Sequence, residues 1–239
     1  MLPAAVLLDL LEQKPFAVEY QPLVSSQEFN IIGYEALARF QSISDKAPPP
    51  DAVFESLHNS PLSLFQLEIA MKTLQIELAP KEGLLLLNLD PHAAQAWGEL
   101  SLDNPLIKAL CKRENTVVEL IENTSISDAR LCAQLSQTLK SEGTLLALDD
   151  VGAADSMLSF QVLETVDIIK LDKSWAQRLD NQQAVHLLNS IIQYAQNTNK
   201  LSVLEGIETE QQARRARSLG IDYLQGYLFK SQFIYESKQ

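Results

Sequence analysis

Six apolar runs along this chain each stop at a side chain that carries an amide or a charge. Ile31-Ile32-Gly33-Tyr34 ends at Glu35, Leu84-Leu85-Leu86-Leu87 at Asn88, and Val117-Val118 at Glu119. Leu145-Leu146-Ala147-Leu148 ends at Asp149-Asp150, Ile168-Ile169 at Lys170, and Leu201-Ser202-Val203-Leu204 at Glu205. Runs of this kind fit strands buried on both faces, as in a parallel sheet covered by helices. A polar residue at the carboxyl end of such a strand lies on the rim where α/β barrels and sheets bind ligands. The repetition predicts several oxygen ligands and one cation on a single rim, a constellation suited to divalent metal and phosphoester chemistry.

Helical signals separate the later runs. They cover Pro105 to Lys112, then Ser125 to Ser141, where Ser125 and Ser127 are candidate N-caps and Leu131, Leu135 and Leu139 share a face. A short helix is expected near Ser156 to Leu163, and a clean helical period runs from Gln183 to Thr198. Glu208 to Leu219 ends at Gly220, a C-terminal glycine, and Tyr223-Leu224 then leads to Gln225. The start of the chain differs. Phe16 to Tyr20 and Ile31 to Tyr34 are joined by a short polar stretch with no room for a crossover helix, so they should pair antiparallel. Asp51 to Leu57 should be helical after the Pro48-Pro49-Pro50 loop, and Leu7, Leu8, Leu10 and Leu11 fit a short helix docked on the chain's own body. Together these elements predict one domain over 1–239, a modified TIM-type (β/α)8 barrel with an antiparallel first strand.

Composition narrows the function. The chain has 239 residues, enough for a sizeable core, and a formal net charge of −12. That charge argues against binding a nucleic-acid polymer, which needs a basic footprint. Cys111 and Cys132 form no CxxC pair and read as reduced thiols of a cytoplasmic protein. No apolar run reaches the length of a membrane span. The N-terminal stretch is not expected to be a secretory signal, because no Lys or Arg precedes its leucines. His58, His92 and His186 follow no ligand spacing, and Trp97 and Trp175 read as packing anchors.

The run ends also carry a resemblance. Glu35-Ala36-Leu37 followed by Arg39 resembles the signature of the EAL family of cyclic di-GMP phosphodiesterases. Tyr20-Gln21-Pro22 resembles the family's YQP opening, Asn88-Leu89 its strand-end Asn, and Glu119-Leu120-Ile121-Glu122 its ExTE motif. Asp149-Asp150 resembles the start of DDFGTGYSS, Lys170-Leu171-Asp172 resembles KID, Glu205-Gly206-Ile207-Glu208 resembles EGVE, and Gln225-Gly226-Tyr227 resembles QGY. The resemblance implies hydrolysis of cyclic di-GMP to a linear dinucleotide with Mg²⁺ or Mn²⁺, two ions per site. It implies Glu35, Asn88, Glu119 and Asp149 as metal ligands, with Asp150 shared toward a second metal. Lys170, Glu205 and Asp150 are the implied catalytic group. Gln21, Leu37, Arg39 and Gln225 are implied nucleotide contacts, and Glu122, Asp172 and Glu208 supporting residues. For Asp172 the residues leave two readings open, a partner that orients Lys170 or the N-cap of a helix over Lys173 to Leu179.

One segment departs from the family. Where the family carries Phe, Thr, Gly, Tyr and Ser, this chain carries Val151, Ala153, Ala154, Asp155 and Met157. The lost hydroxyls could have anchored the loop, and a slow enzyme is expected. In the family this loop also serves the dimer face, so the homodimer expectation rests on it. A cyclic di-GMP receptor without turnover and a protein-binding module are the two alternative readings.

Overall fold

The computed structural model describes residues 2–41, 47–120, 126–154 and 157–238, with no side-chain description for 126–129. Its strands are β1 (Phe16–Ser25), β2 (Ile31–Phe40), β3 (Leu84–Leu89), β4 (Thr116–Leu120), β5 (Leu145–Val151), β6 (Ile168–Leu171), β7 (Leu201–Leu204), β8 (Tyr223–Leu224) and β9 (Ile234–Ser237). Strands β2 to β8 follow one another in parallel order, and β1 closes the ring antiparallel to both β2 and β8. The result is the expected closed eight-stranded barrel with an antiparallel first strand. The chain can reverse between β1 and β2 because Ser25 Oγ accepts from the backbone of Gln27 and Glu28, and Phe29 takes a left-handed conformation at φ 58°. β1 is long enough to change neighbours. Val24 and Ser25 pair with β8, while Ala17 to Tyr20 pair with β9, so the β1–β2 pair rises past the barrel top with β9 beside it.

Alternation of side chains divides each strand between two cores. Leu23, Leu86, Val117, Ala147, Ile168 and Val203 fill the barrel lumen. Leu85, Leu87, Val118, Leu120, Leu146, Leu148, Ile169, Leu171 and Leu204 face outward against the helices. The strands are apolar in both directions, which is why their sequence reads as continuous runs.

The outer helices are α1 (Ala4–Gln13), α2 (Pro50–Leu57), α3 (Pro61–Glu77), α4 (Pro91–Ala96), α5 (Pro105–Leu110), α6 (Ile126–Ser141), α7 (Phe160–Thr165), α8 (Gln182–Asn197) and α9 (Glu210–Leu219). Proline stands in the first turn of α2, α3, α4 and α5, where its missing N–H costs nothing. Thr209 and Gln212 form a reciprocal capping box on α9, and Gly220 ends it in the left-handed conformation at φ 87°. Leu131, Leu135 and Leu139 of α6 are buried as expected, and α1 docks on the body through Leu10. Ser125 lies outside the described residues, as does the side chain of Ser127.

Two expectations need correction, and one long helix was missed. The helix expected near Ser156 to Leu163 begins at Phe160, because Ser159 is its N-cap and accepts from Val162 N–H. No α-helix covers Lys173 to Leu179. Asp172 caps a turn by accepting from Ser174 N–H, and a 3-10 turn at Ala176–Arg178 follows. The long helix α3 was not foreseen. It packs on β1, β2, β3, α1, α4 and α5, but its buried side carries Glu68, Lys72 and Gln75 while Leu62 is exposed on the other, so no clean apolar face marks it in the sequence.

Among the buried residues of α3 are Glu68 and Lys72, one turn apart with Nζ 2.6 Å from Oε2. Glu68 also accepts from Asp90 N–H, the cap of α4 just beyond Asn88, at 3.3 Å. Breaking such a pair leaves an uncompensated buried charge, whereas replacing both partners does not. Glu68→Ala should therefore cost about 3–5 kcal/mol, and Glu68→Met with Lys72→Met together much less. Urea denaturation of the two variants checks this, and equal losses would show that the pair is not what stabilises α3.

Candidate active site

Above the apolar lumen the inward positions turn polar. Glu35 on β2, Asn88 on β3, Glu119 on β4, Asp149 on β5, Lys170 on β6 and Glu205 just past β7 meet at one end of the barrel. Lys170 is fully buried, and its ammonium lies 2.5 Å from Glu119, 2.7 Å from Asp149, 2.8 Å from Glu205 and 3.7 Å from Glu35. Glu35 is held by two amides. Asn88 Nδ2 donates to one oxygen at 2.9 Å and Gln225 Nε2 to the other at 2.5 Å. The Asn88 bond leaves its carbonyl oxygen as the atom suited to coordinate a cation.

Burial and mutual charge set the proton inventory. Burial alone would lower Lys170, but Asp149, Glu119, Glu205 and Glu35 outweigh it and hold the ammonium well above its ordinary range. Burial also pushes Glu35 up, yet Lys170 and the two amides bring it below the usual carboxylate value. For Glu119 burial and the charge of Glu35 win over Lys170, and its carboxyl is raised well above the ordinary range. Burial likewise carries Glu205 up to about 8, and burial with the neighbouring Asp149 carries Asp150 up to about 6. The cluster holds more negative charge than Lys170 can balance, and protons make up part of the difference.

Asp149 and Asp150 are adjacent, and regular alternation would send them to opposite faces. A register shift in the β5–β6 pairing between Leu148 and Val151, with Asp150 in the left-handed region at φ 54°, turns both toward the rim. The next residues are pinned. Trp175 Nε1 donates to the Val151 carbonyl at 2.9 Å, and a Cβ on Gly152 would lie 2.5 Å from that nitrogen. Trp175 is thus the buried anchor expected, although Trp97 is half-exposed and stacks on Phe65. Ala154 does not take positive φ, so the alanine there carries no strain from that source. Glu122, Asp155 and Ser156 lie outside the described residues.

Over the cluster opens a cleft of 430 Å³ lined by Gln21, Glu35, Leu37, Asp149, Lys173, Glu205, Gly206, Glu208, Gln225, Gly226 and Tyr227. Among the described residues a larger cavity, 630 Å³, lies between α1 and α3, but no carboxylate lines it. Arg39 does not line the cleft and donates instead to Glu19 and to the Ala38 carbonyl. Asp172 is buried beside Lys170 in sequence, but its carboxylate holds the following turn. The histidines keep away from the cleft, with His58 3.5 Å from Asp90 and stacked edge-on against His92. Sequence reasoning missed Lys173 and Tyr227. Each follows a motif residue closely, but nothing local to the sequence says that its side chain turns to the cleft.

The oxygens fit divalent cations. Glu35, Glu119 and Asp149 form one group whose ligand atoms all lie within 4.8 Å of one another, and Asp149, Asp150 and Glu205 form a second. Both Glu119 oxygens and Asp149 Oδ1 are buried with no hydrogen-bond partner, although Lys170 stands close enough for ion pairing. Unpartnered buried carboxylate oxygens converging on common points are what hard cations require.

The EAL domain family model matches residues 4–232. The chain is 27% identical over 236 residues to the probable cyclic di-GMP phosphodiesterase PdeN of Escherichia coli K12, a match that covers 95% of this chain and 45% of that protein. The chain thus spans about half the length of that relative. The EAL domain of Pseudomonas aeruginosa FimX bound to c-di-GMP superposes with a TM-score of 0.79 at 24% identity, covering 95% and 94% of the two chains. Klebsiella pneumoniae BlrP1, in a complex with manganese and c-di-GMP, superposes with a TM-score of 0.70 at 23% identity over 90% of this chain and 55% of that one. These two structures share the fold. With the family model matched over all but the ends of the sequence, the chain belongs to the EAL domain family.

Proposed function

We propose that this chain is a metal-dependent phosphodiesterase that hydrolyses cyclic di-GMP to linear pGpG in bacterial second-messenger signalling, acting as one EAL barrel. One observation carries the reading: two carboxylate triads share Asp149 and surround the buried Lys170 at the floor of an open cleft. The triads contain no His or Cys, which favours Mg²⁺ or Mn²⁺. Five carboxylates and one ammonium sum formally to −4, the charge that two divalent ions neutralise. Glu35, Asn88, Glu119, Asp149 and Asp150 would hold them, with Glu205 beside the second. Bound there, such ions would supply a nucleophile at neutral pH and charge compensation at the phosphoryl oxygens.

The remaining work falls to the protein. Lys170 stabilises negative charge that builds on the phosphoryl group. Glu205 holds a proton until cations bind, and once ionised it is the base at the rim for the attacking water, with Asp150 orienting that water. Water attacks phosphorus and yields a proton to Glu205, the bond to the 3′ oxygen breaks, and that oxygen departs with the proton that Glu205 returns. Gln21, Leu37 and Gln225 line the cleft and contact the nucleotide, Arg39 reaches it by turning from Glu19, and the exposed ring of Tyr227 offers guanine a stacking face. Glu208 lines the cleft, and Asp172 secures the turn after Lys170. Exposed Met157, Leu158, Phe160 and Leu187 support a homodimer through that loop's face. Cytoplasmic residence agrees with Cys111 and Cys132 as thiols.

Purified protein should convert cyclic di-GMP to pGpG with Mn²⁺ or Mg²⁺. Ca²⁺ should inhibit, since it prefers more ligands and longer bonds. Glu35→Ala and Asp149→Ala should lower turnover at least about a hundredfold, as expected for loss of a positioned metal ligand. Chromatography of the products checks this, and nucleotide binding without product would favour a receptor.

Trp175→Phe keeps the packing but removes the bond to the Val151 carbonyl, so Asp150 should lose its fixed orientation. The metal concentration for half-maximal rate should rise roughly tenfold while nucleotide binding survives. An unchanged metal dependence would show that Trp175 does not set Asp150.

Protonation gives a further prediction. Glu205 and Asp150 rise to about 8 and about 6 from ordinary values of 4.5 and 3.8. Across that window the folded state keeps protons that the unfolded chain has released, so without divalent cations stability falls as pH rises from about 4 to about 8. The melting temperature in EDTA should follow this decline, Mn²⁺ should restore it at the alkaline end, and Glu205→Gln should flatten it. A Glu205→Gln slope equal to the parent's would show that Glu205 does not titrate in the window.

A further inference from the structure

Glu19 stands on β1 opposite Leu37 and two residues before Gln21 on the same strand face, and both of those neighbours line the cleft. One of its oxygens, Oε1, accepts from both Arg39 Nη2 at 2.7 Å and Gln21 Nε2 at 2.9 Å. The second terminal nitrogen of Arg39 donates to the Ala38 carbonyl at 2.8 Å. A guanidinium and an amide converging on one anionic oxygen is the arrangement that a phosphate oxygen would receive. We propose that Glu19 occupies the position of a nucleotide phosphate oxygen, holding Arg39 and Gln21 together until cyclic di-GMP displaces it, and so sets the affinity of the cleft. The inference rests on the cyclic di-GMP reading above.

Exposure decides whether such an exchange is within reach. The Arg39 and Glu19 side chains are 30% and 24% exposed, so the pair is partly solvated and weak. A fully buried pair would resist displacement. Two effects of Glu19 act in the same direction: it competes for the Arg39 donors, and its charge repels a dianionic ligand. The opposing effect is loss of ordering when Glu19 is removed. That loss is small, because Arg39 keeps its bond to the Ala38 carbonyl and the backbone of Gln21 stays paired with Glu35 in the hairpin. Glu19 is a positioning residue, since it acts through Arg39 and Gln21 without touching the reacting atoms.

The test is Glu19→Gln, nearly isosteric but uncharged, in the full chain. Calorimetry with cyclic di-GMP and Ca²⁺, at low and at high salt, should show binding tightened by roughly twofold to fivefold at low salt. The gain should shrink at high salt and be clearly smaller when Arg39→Ala is also present, with an unchanged melting temperature. If the parent protein binds and Glu19→Gln binds no tighter, the inference fails while the cyclic di-GMP reading stands. A gain of undiminished size with Arg39→Ala also overturns it, since Glu19 would then act only as a general charge. If neither protein binds the nucleotide with Ca²⁺, Mg²⁺ or Mn²⁺, the functional reading fails and the inference with it.

Discussion

The ion cluster around Lys170 is the constraint on which the rest depends. A lone ammonium in the lumen of a barrel would be intolerable, and so would the carboxylates around it without a cation. Lys170 meets four carboxylates at once, so its charge is secured, but the balance stays negative and drives Glu119 and Glu205 toward protonation. The apolar layers below, from Leu23 to Val203, supply the stability that makes such a site affordable. The top of the barrel is therefore a place where fold stability is spent and divalent cations are wanted.

The antiparallel first strand shapes what stands over that cluster. A parallel β1 would present its carboxyl end at the rim, whereas here the rim receives residues from its beginning, including Glu19 and Gln21. Support comes from behind. Tyr20 donates to the Gln75 carbonyl, and the Gln75 amide donates to the Ala36 carbonyl next to Glu35. Glu68 of the same helix reaches the backbone just beyond Asn88. Helix α3 thus fixes two of the strand ends that carry chemistry, through buried polar residues that look out of place when read one by one.

Some of this was legible from residue order. Runs such as Leu84 to Leu87 reveal strands because both faces are covered, and their terminal Asn88, Glu119, Asp149, Lys170 and Glu205 do share one rim. Helix α8 was legible because only one of its faces is buried. Helix α3 was not, because its buried face carries Glu68, Lys72 and Gln75 and its exposed face carries Leu62, which blurs the apolar period. The 3-10 turn after Asp172 was misread as a helix because capping residues serve turns and helices alike.

The sequence by itself determined the strand ends, the oxygen-rich donor set and the single cation among them, since these follow from residue type and local pattern. Only the tertiary structure decided which groups meet. Gln225 bonds Glu35 across 190 residues and Asn88 bonds it across 53, contacts that exist because the barrel closes. Asp150 reaches the rim through a left-handed bulge that alternation would not predict. Arg39, two turns of the pleat beyond Glu35, is turned to Glu19 of the neighbouring strand. The physical reason is common to all three: local pattern sets which face a residue prefers, while strand register and ring closure set what stands opposite it.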